Sequence, residues 1–131
     1  MSFQVSTSRQ IELIDITREV TSQVKQSGVE EGIALVYVPH ATAALIINEN
    51  EKGLVSDMLG MIKELVPRDK QFEHDRIDNN AVAHLTSALL KPDLTLPVTG
   101  GSIERGTWQN IFLVELDGPR QRKVIVKVIG K

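Results

Sequence analysis

Apolar and polar residues alternate from Phe3 to Thr7 and from Ile11 to Ile16, a period of two that predicts two short strands meeting near Ser8 and Arg9. The period then lengthens. Ile16, Val20 and Val24 recur every fourth residue, which predicts a helix capped by Asp15 or Thr17 and stopped at Gly28. Gly32 to Val38 is a nearly continuous apolar run and reads as a central strand buried on both faces, ended by Pro39 and His40. Ala43 to Ile47 predicts a further strand. Asn48-Glu49-Asn50 then opens a helix over 51–66, with Leu54, Met58, Met61, Ile62 and Leu65 at helical spacing and Pro67 closing it. A polar, irregular stretch follows from Pro67 to Ile77. Asp78 and Asn79 cap a third helix reaching about Leu90, with Ala81, Leu85, Ala88 and Leu89 expected inward. Strands over 94–98, 109–115 and 124–129 finish the pattern, with turns at Gly100-Gly101 and Asp117-Gly118-Pro119. Strands and helices in this mixed order predict a single α+β domain over residues 1–131. A largely antiparallel sheet or sandwich with about three helices is expected, rather than a doubly wound fold.

Composition narrows the chemistry. A chain of 131 residues, 41% apolar and 24% charged, has the balance of an ordinary globular domain. Its formal charge of −2 argues against nucleic acid or an anionic membrane as the partner. The absence of cysteine excludes disulfides, thiolate catalysis and sulfur-ligated zinc. No apolar run reaches the ~18–20 residues of a membrane helix, and the first residues lack a signal peptide's basic start. The expected location is the cytoplasm.

The candidate chemistry centres on three histidines. His40 follows a buried strand, His74 lies in the polar segment Phe72-Glu73-His74-Asp75, and His84 shares a helix face with Asn80. Neutral imidazoles bind zinc and other divalent metals, and three of them with an open position is a known catalytic arrangement. Acid–base catalysis without a metal, or a local hydrogen bond at each ring, accounts for the same residues. Glu49 serves either as a base or imidazole partner, or as a carboxylate favoured beside a helix N-terminus. Gly100-Gly101-Ser102 and Gly106-Thr107 have the composition of an anion cradle, but a hairpin turn explains the glycines more simply. Arg120, projected by the turn before it, suits bidentate binding of a phosphate or carboxylate, or pairs with Glu115 or Asp117.

The blocks His40-Ala41-Thr42-Ala43-Ala44-Leu45 with Asn48-Glu49, His74, and Asn80-Ala81 through His84-Leu85 are similar to those of the YjbQ-like family. So are Gly106-Thr107-Trp108-Gln109, Glu115, Asp117-Gly118-Pro119-Arg120 and Arg122. The resemblance runs from about residue 3 to the C-terminus. It implies an α+β homotrimer with polar clefts completed by neighbouring subunits. It also implies a shared site drawn from His40, Asn48, Glu49, His84, Gln109, Glu115 and Arg120, to which His74 and Asn80 add. Family members carry the label secondary thiamine-phosphate synthase. Ala41 stands where the family commonly has threonine, and Lys91-Pro92 where it often has glycine. On this reading the chain is a small-metabolite enzyme. His40, Glu49, His84 and Arg120 act catalytically, while Asn48, Asn80, Gln109, Glu115 and Arg120 bind a small anionic metabolite. His40, His74 and His84 would hold zinc or another divalent metal. The alternatives are a metal-dependent hydrolase and a trimer that binds a metabolite or metal without turning it over.

Overall fold

A computed structural model describes residues 1–131. Strands β1 (Ser2–Ser6) and β2 (Glu12–Asp15) alternate as predicted, yet they enter different sheets. Helix α1 (Thr17–Gln26) follows, its first amide taken by the Asp15 carboxylate at 2.9 Å. Strands β3 (Glu31–Tyr37) and β4 (Ala43–Asn48) lead to helix α2 (Lys52–Glu64), capped by Glu51, which accepts from the amides of Gly53 and Leu54. A short 3-10 turn (Glu73–Arg76) precedes helix α3 (Ala81–Leu90). Strands β5 (Asp93–Thr99) and β6 (Ser102–Ile103) form a hairpin, and β7 (Asn110–Glu115) and β8 (Gln121–Gly130) complete the chain.

All pairings are antiparallel. One sheet has the order β1-β8-β3-β5-β6 and the other β2-β7-β4. The main core joins side chains of both sheets, among them Val36, Val126, Leu45, Ile111 and Leu113, to Val20 and Val24 of α1. Two fully buried valines contribute about 1.5 kcal/mol or more each to holding that helix down. A smaller cluster of Ala44, Ile62, Ala83, Val114 and Leu116 joins the three-stranded sheet to α2 and α3. Strand β7 is covered on both faces, so Ile111 through Glu115 are all buried.

Three expectations about faces are corrected. Strand β3 is buried on one face only: Ala34 and Val36 point into the core while Ile33, Leu35 and Tyr37 are exposed. The continuous apolar run therefore reflects two apolar faces of which the single chain covers one. In helix α3 Ala81 is buried as expected, but the rest of the predicted face is turned outward: Ala83, Thr86 and Ser87 are buried while Leu85, Ala88 and Leu89 are exposed. Small side chains face the sheet because the helix lies close to it, near enough for Ser87 Oγ to donate to the Ala43 carbonyl at 2.6 Å. Helix α2 buries Met58 and Ile62 but leaves Met61 and Leu65 outside. In the β5–β6 hairpin, Gly100 and Gly101 both take positive φ (58° and 80°), and their amides go to Glu31 and Glu30. The pair is a two-residue turn and has no free amides with which to cradle an anion.

Candidate functional site

Along β7 and β8, alternation places Glu115 on the same inward face as Ile111 and Leu113, and Arg122 on the same inward face as Val124 and Val126. Each sheet thus sends one charge to the end of the core. There the Arg122 Nε donates to Glu115 Oε1 at 2.9 Å, and Nη2 reaches Glu115 Oε2, the Thr42 carbonyl and the Thr42 hydroxyl. Thr7 Oγ1 donates to Glu115 Oε1 at 2.8 Å, and Oε2 accepts the amides of Leu116 and Asp117 at 3.0 Å each. Burial alone would raise the Glu115 pKa, but the hydrogen bonds from Arg122, the Asp117 amide and Thr7 outweigh it and hold it below its ordinary value. Glu115 was expected to bind ligand. At 0% exposure and with both oxygens committed, it is a tie between the two sheets.

That tie fixes the turn that follows. Asp117, anchored through its amide, presents its carboxylate to two partners: Asn80 Nδ2 donates to Oδ2 at 2.9 Å, as does Arg120 Nη2. Arg120 Nε also donates to the Asp117 carbonyl at 2.8 Å, while half of its side chain stays exposed. Asn80 Oδ1 lies 2.9 Å from His74 Nε2. The His74 and His84 rings meet edge to face, with centroids 4.6 Å apart and planes at 78°. The Asp75 carboxylate accepts the amide of Ala81, the first residue of α3, so the 3-10 turn carrying His74 is pinned to the helix carrying His84. Five predicted or recognised groups therefore converge as His84, His74, Asn80, Asp117 and Arg120. Asp117 was missed as a site residue, although its place in the turn before Arg120 was the available signal.

His40 is placed differently. Pro39 ends β3, and the last β3–β8 pair is Tyr37 with Ile125. The Lys123 amide, two residues earlier in β8, donates instead to His40 Nε2 at 2.9 Å. The imidazole stands in for the missing strand. The expected ligand set of His40, His74 and His84 is therefore not assembled within the chain, and no group of three or more His, Asp or Glu side chains is arranged to hold a metal. Burial, and then the Arg122 guanidinium, lower the His40 pKa from its ordinary 6.5, against the pull of Glu115. The unfolded chain consequently takes up this proton first. The stability His40 contributes is complete above about pH 6.5 and is lost as pH falls through that value towards the folded one. A melting temperature that declines from pH 7 to pH 5, and declines less in His40→Gln, is the expected result. An unchanged slope in that variant would assign the decline to other groups.

Asn48, Glu49 and Gln109 lie at the opposite end of the three-stranded sheet. The register pairs Ala43 with Glu115 at one end of β4 and Asn48 with Asn110 at the other, five residues or about 16 Å apart. Glu49 is thereby too far from the histidines to act on them within one chain. Gln109 Oε1 accepts the Gly106 amide at 2.8 Å and shapes the loop that exposes Trp108. Beside this end runs an open cleft of about 950 Å³ whose lining, including Asp15, Arg18, Lys25 and Arg105, contains no apolar side chain. Asp15 would be raised by burial, but hydrogen bonds from Thr17 and Asn50 prevail and keep its pKa low. The residues expected to form one site are thus dispersed in the isolated chain: His74, His84, Asn80 and Arg120 gather on one side, Asn48, Glu49 and Gln109 lie at the far end of the sheet, and His40 and Glu115 are held in structural hydrogen bonds.

Comparison with known proteins places this geometry. The family model described as UPF0047 protein YjbQ-like matches residues 1–131. A UPF0047 protein of Methanothermobacter thermautotrophicus is 50% identical over 125 residues, covering 95% of this chain and 87% of the relative. UPF0047 protein YugU of Bacillus subtilis is 36% identical, covering 98% of each chain. Among solved structures, a YbjQ-like protein of Sulfolobus solfataricus P2 superposes with a TM-score of 0.97 at 48% identity, over 100% of this chain and 96% of that one.

Proposed function

This chain belongs to the YjbQ-like UPF0047 family, and from that premise we propose that it is an enzyme acting on a small anionic metabolite at His84, His74 and Arg120. The observation that carries the reading is the edge-to-face histidine pair joined through Asn80 and Asp117 to a half-exposed guanidinium. A guanidinium beside two imidazoles pairs an anion-binding fork with rings whose nitrogens can each donate or accept a proton. In this scheme Arg120 releases Asp117 to bind a phosphate or carboxylate, and His84 exchanges a proton with the reacting atom. Arg68 borders the small groove beside Asn80 and Asp117. That second cation favours, as the next reading, the family-label reaction, thiamine phosphate formation, in which a pyrimidine diphosphate is joined to a thiazole phosphate and pyrophosphate leaves.

Zinc or another divalent metal fits the histidine end only in part. His74 and His84 offer two imidazoles, whereas His40 Nε2 already accepts a hydrogen bond and a catalytic zinc takes three protein ligands. A neighbouring copy would have to supply the remaining donor, and no step here passes through a metal. The same need arises for Asn48, Glu49 and Gln109, which reach a ligand held by the histidines only across a subunit boundary. Association as a homotrimer meets both needs, and the exposed Ile33, Leu35, Tyr37 and Ile129 favour it.

The test is a turnover screen of phosphorylated and carboxylated metabolites, with inorganic phosphate and pyrophosphate as binding probes. His84→Ala is expected to lower turnover by about 100-fold or more. Arg120→Ala is expected to weaken anion binding by roughly 10-fold. Equal turnover in wild type and both variants sinks the catalytic reading, and binding without product points to a non-catalytic protein. Sedimentation as a monomer at micromolar concentration would remove the shared site.

A further inference from the structure

We infer that the fold locks His40 and His74 into opposite neutral tautomers, leaving Nδ1 of His74 and the ring of His84 as the imidazole nitrogens that meet a ligand. The inference deepens the proposed site and rests on it for its functional meaning. Its geometry stands on two independent sets of hydrogen bonds.

The first begins at Asp117. An ionised carboxylate can only accept, so the Asn80 side chain must turn its NH₂ towards Asp117 Oδ2. Its carbonyl oxygen then faces His74 Nε2 at 2.9 Å, and a carbonyl can only accept. His74 Nε2 must therefore carry the proton, and Nδ1 keeps its lone pair. The direction of every bond follows from the one group whose role is unambiguous. Asp117 cannot readily turn away, because Glu115 holds its amide and, until an anion draws Arg120 off, that guanidinium holds its carboxylate and its carbonyl. Asn80 and Asp117 are thus positioning residues for His74.

The second set acts in the opposite sense. The Lys123 backbone N–H can only donate, so His40 Nε2 must be the acceptor. In the neutral ring the proton then resides on Nδ1, the less common form of a free imidazole side chain. A nitrogen whose lone pair is spent on a strand amide neither binds a metal nor takes a substrate proton. His40 on this account is a strand-ending group, and the chemistry passes to His74 and His84.

Ring nitrogen NMR of the uniformly labelled full-length protein at about pH 8.5, above the ordinary imidazole range, tests this without a substrate. His40 is expected to show a protonated Nδ1 and a bare Nε2, and His74 the reverse. The His74 Nε2 proton should exchange with water at least about 10-fold faster in Asn80→Ala and Asp117→Asn, the loss of roughly one good hydrogen bond. A protonated Nε2 on His40, a protonated Nδ1 on His74, or unchanged exchange in both variants overturns the inference. A metabolite screen that finds nothing leaves the tautomers as measured, and a wrong tautomer leaves the anion screen intact, so the two failures are separable.

Discussion

Replacing Glu115 with alanine is expected to destabilise the protein by about 3–5 kcal/mol, because it leaves the Arg122 guanidinium buried without its counter-charge. The arginine side chain is only 4% exposed, so water has little access to replace the lost carboxylate. Three more losses accompany the first. The Leu116 and Asp117 amides and the Thr7 hydroxyl all lose an acceptor they share with Arg122. The double variant Glu115→Leu, Arg122→Met should recover most of the deficit, since apolar groups of similar volume can replace a buried pair with little penalty. Denaturant unfolding with an unchanged m value measures both. A single variant costing under about 1 kcal/mol would show that the pair is hydrated and does not bind the sheets together.

Gly118→Ala is expected to cost about 3 kcal/mol and to disturb the site at the same time. A Cβ at this position would lie 2.3 Å from the Arg9 carbonyl oxygen, 2.8 Å from Glu115 Cγ and 2.9 Å from Thr7 Oγ1. The first contact is with backbone, so relief requires the turn itself to shift. Asp117 precedes that glycine and Arg120 lies two residues after it, and their displacement would loosen Asn80 and His74 in turn. Gly60→Ala supplies the control, because it lies within α2 with nothing inside 4 Å of the new Cβ. It should be neutral or stabilising by about 0.5–1 kcal/mol. If Gly118→Ala matches Gly60→Ala in denaturation, the turn is free to adjust and does not clamp Asp117.

The legible part of the fold was its local periodicity. The segments predicted as strands and helices appear within a few residues of their expected limits. Pro39, Pro67 and Gly100-Gly101 punctuate them as their backbone chemistry requires. Faces were harder to read. In α3 the leucines at 85 and 89 outweighed Ala83 and Ser87 in a hydrophobicity reading, yet the close approach of the helix to β4 selects the small residues. In β3 an apolar run looked the same whether one face or both were covered. Glu115 shows a signal that was present and underused: it continues the inward series of Ile111 and Leu113, which a carboxylate can do only when a partner such as Arg122 is waiting.

The sequence by itself determined the α+β class, the order of elements, the antiparallel bias and the residue types available for chemistry. Those properties follow from turn chemistry and from apolar periods of two and of about 3.6, which are local. Tertiary structure alone decided how those residues are grouped. Pairing β4 with β7 carries Asn48 and Gln109 to one end and Ala43 and Glu115 to the other, whereas the α3–β7 arrangement brings Asn80 to Asp117 across 37 positions of chain. It also decided which nitrogen of each histidine is free, since that depends on whether a backbone amide or a side-chain carbonyl arrives at the ring. Such partners are distant in the chain, and no local period records them.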